Sequence, residues 1–212
     1  MSRIFLSIFL TLVNFNKLVL ADTISCVQLF GELETQKAQL IQMLPQYIGE
    51  EKGHYYDKTA RRYWNVHYFN HEDLKHLTIT VKNSTLYDFK NEKYSTEFDH
   101  ENGVFKEALV VLTAEENLLI LPYESRGLYH HSSLSHGKPV LFAGTITVAN
   151  GQVIELTDLS GHYKPNLDSL KNFITFLESK KLNLRNMLIS GFNVFQKTKQ
   201  HSISYSEFKN NF

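Results

Sequence analysis

Cysteine, proline and net charge are all scarce in this chain of 212 residues. Its single cysteine, Cys26, has no partner for an internal disulfide, which excludes a small disulfide-stapled scaffold. Four prolines and ten glycines leave no Pro/Gly-rich linker and no low-complexity tract. Lys+Arg and Asp+Glu stand at 22 each, so no bulk positive field draws the chain onto a phosphate backbone, and nucleic acid is not an expected partner. No apolar run reaches the ~20 residues that cross a bilayer as a helix, so no permanent span is expected. A phosphate-cradling Gly-Lys-Ser/Thr loop, a Gly-x-Gly-x-x-Gly fingerprint and a Gly-x-Ser-x-Gly elbow are all missing. What is present is an ordinary globular composition, 42% hydrophobic and 21% charged, together with ten histidines that fall largely into two clusters.

Residues 1–21 have the layout of a secretory signal. Arg3 supplies the positive start, the stretch from Ile4 to Val13 is broken only by Ser7 and Thr11, and Val19 and Ala21 sit at −3 and −1 before Asp22. The expectation is a secreted or periplasmic protein with a mature N-terminus at Asp22 and one domain over 22–212. The competing reading is an amphipathic N-terminal helix. Export would also turn Asn83-Ser84-Thr85 into a glycosylation acceptor in a eukaryote.

Periodicity predicts an α+β domain with a largely antiparallel sheet built of hairpins. Val27, Leu29, Leu33, Leu40 and Met43 predict an N-terminal helix over 25–44, ending before Pro45. Extended segments are predicted at 62–69, 77–81 and 128–132. Residues 108–113 and 118–121 flank a polar loop, and 140–148 and 152–157 flank Asn150-Gly151, a turn whose two positions both need positive φ. After Lys164-Pro165-Asn166, the residues Leu167, Leu170, Phe173, Ile174 and Leu177 form one helical stripe.

Two constellations could carry chemistry. The first is His130-His131-Ser132-Ser133, followed by His136-Gly137-Lys138-Pro139. On a strand, His130 and Ser132 would share one face and His131 and Ser133 the other. Histidine can move a proton near neutral pH, and hydroxyls can hold a ligand. The second is Ser160-Gly161-His162-Tyr163, placed just before a helix whose free amides favour an anion. Gly161 would allow a tight bend there. The plainer reading makes the first a satisfied polar pair at a sheet end and the second an ordinary strand-to-helix turn. His67, His71 and His76 lack carboxylate or thiol partners, so no metal is expected.

The residues His131-Ser-Ser133, Ala143-Gly144, Asn150-Gly151 and Ser160-Gly-His-Tyr163-x-Pro165 together resemble the core domain of the plant IQ-motif-containing calmodulin-binding protein family, and related bacterial and fungal proteins. The likeness covers about 52–187, including Gly53-His-Tyr-Tyr-Asp57 and Glu101-Asn102-Gly103. It implies the core domain and no particular activity. Ile41-Gln42 runs into Met-Leu-Pro45 with no arginine, so the IQ element is absent and calmodulin is not an expected partner.

Two functions compete on these residues. One is an exported effector of ADP-ribosyltransferase type, with NAD as its co-substrate and a protein as its target. It would use His130 or His131 to hold the ribose, Tyr163 to stack on nicotinamide and Glu207 to stabilise the reacting centre, with Ser132, Ser133, Ser160, Gly161 and His162 lining the ligand site. The other is a non-catalytic ligand- or protein-binding module.

Overall fold

The computed structural model describes residues 39–53, 55–57, 62–122, 128–191 and 202–211. The signal at 1–21, Cys26 and most of the helix at 25–44 lie outside these residues. The end of that helix is not helical. Ile41 instead exchanges both backbone hydrogen bonds with Val140, at 2.7 and 3.0 Å, and Leu44 is extended. Residues 40–212 form one compact unit.

In chain order the elements are β1 (Tyr55–Asp57), β2 (Arg62–Trp64), α1 (His71–Leu77), β3 (Thr80–Lys82), β4 (Thr85–Tyr87), β5 (Phe98–Asp99) and β6 (Val104–Phe105). There follow β7 (Ala108–Thr113), β8 (Leu118–Pro122), α2 (His131–Ser135), β9 (Val140–Ala149), β10 (Gln152–Thr157), α3 (Leu167–Ser179), β11 (Leu188–Ser190), β12 (Ser202–Ser204) and α4 (Tyr205–Asn211). The main sheet has six strands in the order β12-β11-β10-β9-β7-β8. All its pairs are antiparallel except β10–β11, which α3 connects as a crossover. The α+β class with a largely antiparallel, hairpin-built sheet therefore holds.

Both faces of the sheet are covered. Val110, Leu112, Ile120, Phe142 and Ile146 pack with Leu170, Phe173, Ile174 and Leu177 of α3 and with Phe208 of α4. Leu109, Val111, Leu119 and Ala143 belong to the opposite cluster, with Met43, Leu134 of α2 and Tyr163. Burial on both sides explains why Ala108–Thr113 reads as an unbroken apolar run rather than an alternating one. The helix α3 starts where Asn166 Oδ1 accepts the Ser169 amide at 3.0 Å and Ser169 Oγ accepts the Asn166 amide at 2.9 Å.

Three predicted strands are shortened or redirected. Extension over 62–69 stops at Trp64 and gives way to irregular chain; 77–81 loses its first residue to α1, whose start is set by Asn70 capping the Asp73 amide at 2.9 Å and by Glu72 and Asp73 in the first turn. The segment expected as a strand at 128–132 instead enters α2. Ser133 Oγ accepts the His130 amide at 3.0 Å, and His136 closes the helix in the left-handed region at φ 56.

The Asn150-Gly151 turn has φ 50 and 78, as a two-residue hairpin demands. Its Gly151 amide donates to Tyr94 C=O at 2.7 Å, and its carbonyl accepts from Leu86 of β4 at 2.9 Å, so β4 and the segment that follows it grip the turn. A Cβ at Gly151 would lie 2.2 Å from Thr85 Cγ2. Gly151→Val is expected to lower the unfolding free energy by about 2–3 kcal/mol, combining strain and overpacking. Urea unfolding measures it, and an unchanged midpoint would refute the tight grip.

Candidate functional site

The polar residues singled out by the sequence converge around a side chain that no motif announces. Glu50 opens a 3₁₀ turn, Glu50–Lys52, just after Gly49 in the left-handed region at φ 85. It is fully buried. Its carboxylate accepts the Ser132 hydroxyl on one oxygen and meets His162 Nε2 at 2.8 Å on the other. The His162 ring stacks with Tyr47 at 3.9 Å and with His130 at 4.3 Å between centroids. Leu44 N–H donates to His162 C=O at 2.8 Å, so the segment 41–53 is strapped across the start of α2.

His131 occupies the adjoining position, 5% exposed. Its Nε2 lies 2.7 Å from Gly144 C=O and its Nδ1 lies 3.2 Å from Ser160 Oγ. A carbonyl can only accept, so Nε2 carries the proton and Nδ1 takes the serine hydroxyl. Ser160 Oγ also accepts the Tyr163 amide at 3.4 Å. The Tyr163 hydroxyl donates to Lys138 C=O at 2.9 Å and lies 2.5 Å from Ser135 Oγ, whose proton it takes. Burial, partly offset by the Ser135 bond, pushes the Tyr163 phenol up to about 12.

The histidine pair and the Ser160–Tyr163 turn therefore meet, but in packed interior rather than in an open cleft. Because 130–133 is a helix start, His131 and Ser132 point to different partners, Gly144 and Glu50, instead of alternating across a sheet. Ser133 caps its own helix. Gly161 has open space around its Cβ position and no positive φ, so its bend does not require glycine. Glu207 is on α4, where it is exposed and accepts the Ser204 amide and hydroxyl at 2.8 Å each. Its neighbour Phe208 is buried on the face of the sheet opposite Leu134 and Tyr163.

The chemistry available here is limited by order. A Ser–His–acid relay needs the imidazole between hydroxyl and carboxylate, so that it can take the hydroxyl proton. Here the carboxylate stands between Ser132 and His162 and itself accepts the serine hydroxyl's hydrogen bond, so His162 does not reach that hydroxyl. Of the histidines at 67, 71 and 76, where no metal is expected, His67 abuts Phe69 and Tyr129, while His76 abuts Phe89. Among the described residues no group of three or more His, Cys, Asp or Glu is arranged to hold a metal.

Burial pushes both His130 and His131 down to about 4. The charge of His162 adds to this at His130 against the opposing pull of Glu50; at His131 the Gly144 carbonyl opposes it first. The unfolded value is about 6.5, so the unfolded chain binds the extra protons between pH 6.5 and 4. Stability is thus full above about pH 6.5 and is lost as pH falls through that window. Melting temperatures between pH 7.5 and 4.5 should fall in wild type and fall less in His131→Gln; parallel profiles would refute the assignment.

An open cleft of about 580 Å³ lies beside this cluster, between α1, the β7–β8 turn and the loop after α2. Ser135 belongs to both the cleft wall and the Tyr163 hydrogen bonds. No spacing in the sequence pointed to the cleft, because its lining comes from four separated segments.

Comparison with known proteins agrees with the resemblance. Residues 74–170 match the model of the IQ motif-containing protein middle domain. The IQ domain-containing protein IQM3 of Arabidopsis thaliana is 35% identical over 85 residues, 40% of this chain and 17% of its own length. IQM1 of the same plant is 34% identical over 80 residues, 38% of this chain and 16% of its own. IQM2 is 21% identical over 146 residues, 66% and 24% of the two chains. The chain thus spans about a sixth to a quarter of the length of these relatives. No solved structure matches. These matches overturn the expectation of an exported effector of ADP-ribosyltransferase type. The fold agrees with that correction, since Glu207 belongs to a helix packed on the other face of the sheet from Tyr163. Among the described residues, no helix is long and apolar enough to cross a membrane.

Proposed function

We propose that this chain, sharing the middle domain of IQ motif-containing proteins, is a non-catalytic ligand- or protein-binding module. In this reading His131, Ser132, Ser160, His162 and Tyr163 are scaffold, and the adjoining cleft is the contact surface. The observation that carries it is the closure of the polar cluster: Glu50, Ser132, His162, His131, Ser160 and Tyr163 are all buried and bonded to one another or to backbone. A reacting group must reach its substrate within hydrogen-bond distance, and these have no free face to offer.

The partner side is open to direct trial. The relatives are IQ domain-containing proteins by name, and the resemblance associates IQ elements with calmodulin. Ile41-Gln42 lies outside the matched segment, and Ile41 is bound to Val140. Calmodulin, with and without calcium, is therefore the first protein to titrate against the full chain.

Scaffold and contact roles separate by substitution. His131→Gln and Ser132→Ala should lower the melting temperature yet, below it, recover the same cross-linked partners as wild type. Lys138→Glu should keep the melting temperature and lose them. Stabilisation by NAD that disappears in His131→Gln, or substrate turnover abolished by Ser132→Ala at unchanged melting temperature, would overturn the reading.

A further inference from the structure

We infer that the cleft between α1 and the loop after α2 takes an acidic, amphipathic segment of a partner protein, an inference that rests on the binding-module reading. Its floor is apolar, made by Leu40, Leu74, Leu119 and Leu134. Leu119 and Leu134 are 3% and 1% exposed, so the floor is a fixed part of the core, whereas Leu40 is 39% exposed and open to a ligand. The rim is cationic in composition. Lys75 and Lys138 stand there against one lining carboxylate, Glu115. In a chain with no net charge, this is a local excess that the composition hides.

The two lysines differ in a useful way. Lys75 pairs with Glu72 at 2.7 Å, but both side chains are largely exposed, and such pairs contribute little and exchange readily. Lys138 is exposed and has no carboxylate within 4.0 Å among the described residues. Its backbone is nevertheless held, because the Lys138 carbonyl accepts the Tyr163 hydroxyl and its amide donates to Ser135 C=O at 3.0 Å. A cation on a fixed backbone loses less freedom on binding. The buried polar cluster thereby acquires a purpose: it sets the wall that presents Lys138.

Chemistry selects the occupant. A small anion would use the lysines and leave the leucine floor wet, and a purely apolar peptide would leave the cations unmatched. A segment carrying leucines on one side and carboxylates on the other satisfies both. The cleft volume of about 580 Å³ is within the range of about 300–1,000 Å³ that ligand sites occupy.

The test uses the full chain and a fluorescent twelve-residue peptide with leucines at helical spacing and glutamates elsewhere, beside its lysine-for-glutamate counterpart. Anisotropy should show the acidic peptide binding, more weakly as salt rises, and about five- to tenfold more weakly to Lys138→Glu. The basic peptide should not bind. Equal binding of both peptides, or an unchanged affinity in Lys138→Glu, would overturn the acidic preference; loss of that binding in Leu40→Asp would then leave the module reading standing. Inorganic phosphate that protects the wild type but not Lys138→Glu, with neither peptide bound, would mark a small-anion site and overturn both the segment and its protein source. Binding of no probe up to about 1 mM, the weak end of specific recognition, would overturn the inference together with the cleft as a contact surface.

Discussion

Glu50→Ala should lower the unfolding free energy by about 3–5 kcal/mol, the range for removing one partner of a buried pair. The carboxylate is fully enclosed and serves two donors at once, the Ser132 hydroxyl and His162 Nε2. Alanine would leave both without an acceptor in a space closed to water, besides opening a cavity. It would also release the segment 41–53, whose Tyr47 stacks on His162 and whose Ile41 pairs with Val140. Glu50→Gln keeps an acceptor for Ser132 and can meet the other histidine tautomer, so its loss should be smaller, about 1–2 kcal/mol. Urea unfolding of the three proteins at pH 7 makes the comparison. A loss below about 1 kcal/mol in Glu50→Ala would show that the strap is held by something other than this carboxylate.

Gly144→Ala is expected to be as damaging, about 3–4 kcal/mol, for a steric reason. A Cβ there would sit 2.1 Å from the Thr157 carbonyl oxygen and 2.8 Å from two atoms of the Phe142 ring. The carbonyl belongs to the neighbouring strand of the sheet and cannot rotate away. Moving it would disturb the β9–β10 register at Thr145↔Thr157, where the two hydroxyls are 2.8 Å apart. The Gly144 carbonyl also accepts from His131, so the shift would propagate into the polar cluster. Gly161→Ala is the control: with open space and ordinary φ, it should change stability by no more than about 0.5 kcal/mol. Similar losses in the two variants would refute the close-approach argument.

The neutral charge and single cysteine limited the classes of protein at once, and local patterns located the hairpins and α3 well. Asn150-Gly151 could adopt its turn because both residues tolerate positive φ, and the stripe from Leu167 to Leu177 could bury only as a helix. These are properties of neighbours in sequence, and they survive translation into structure. The histidine and serine run was legible as important but not as a helix, because five residues give too short a window for periodicity, and the Ser133 capping bond that selects the helix is a matter of geometry. The proposed ADP-ribosyltransferase set of His130, His131, Tyr163 and Glu207 failed for a related reason: order along the chain says nothing about which face of a sheet a residue reaches.

Only the tertiary structure brought Glu50 to its partners, 82 residues from Ser132 and 112 from His162. In the sequence it reads as one more acid in a solvated Gly-Glu-Glu-Lys-Gly run. The chain alone determined the hairpins, the long helix and the chemical character of the residues, because turns, caps and stripes are written within a few positions. The tertiary structure decided which of those residues are enclosed and which are open, because burial and charge pairing depend on segments that meet only when the sheet is formed.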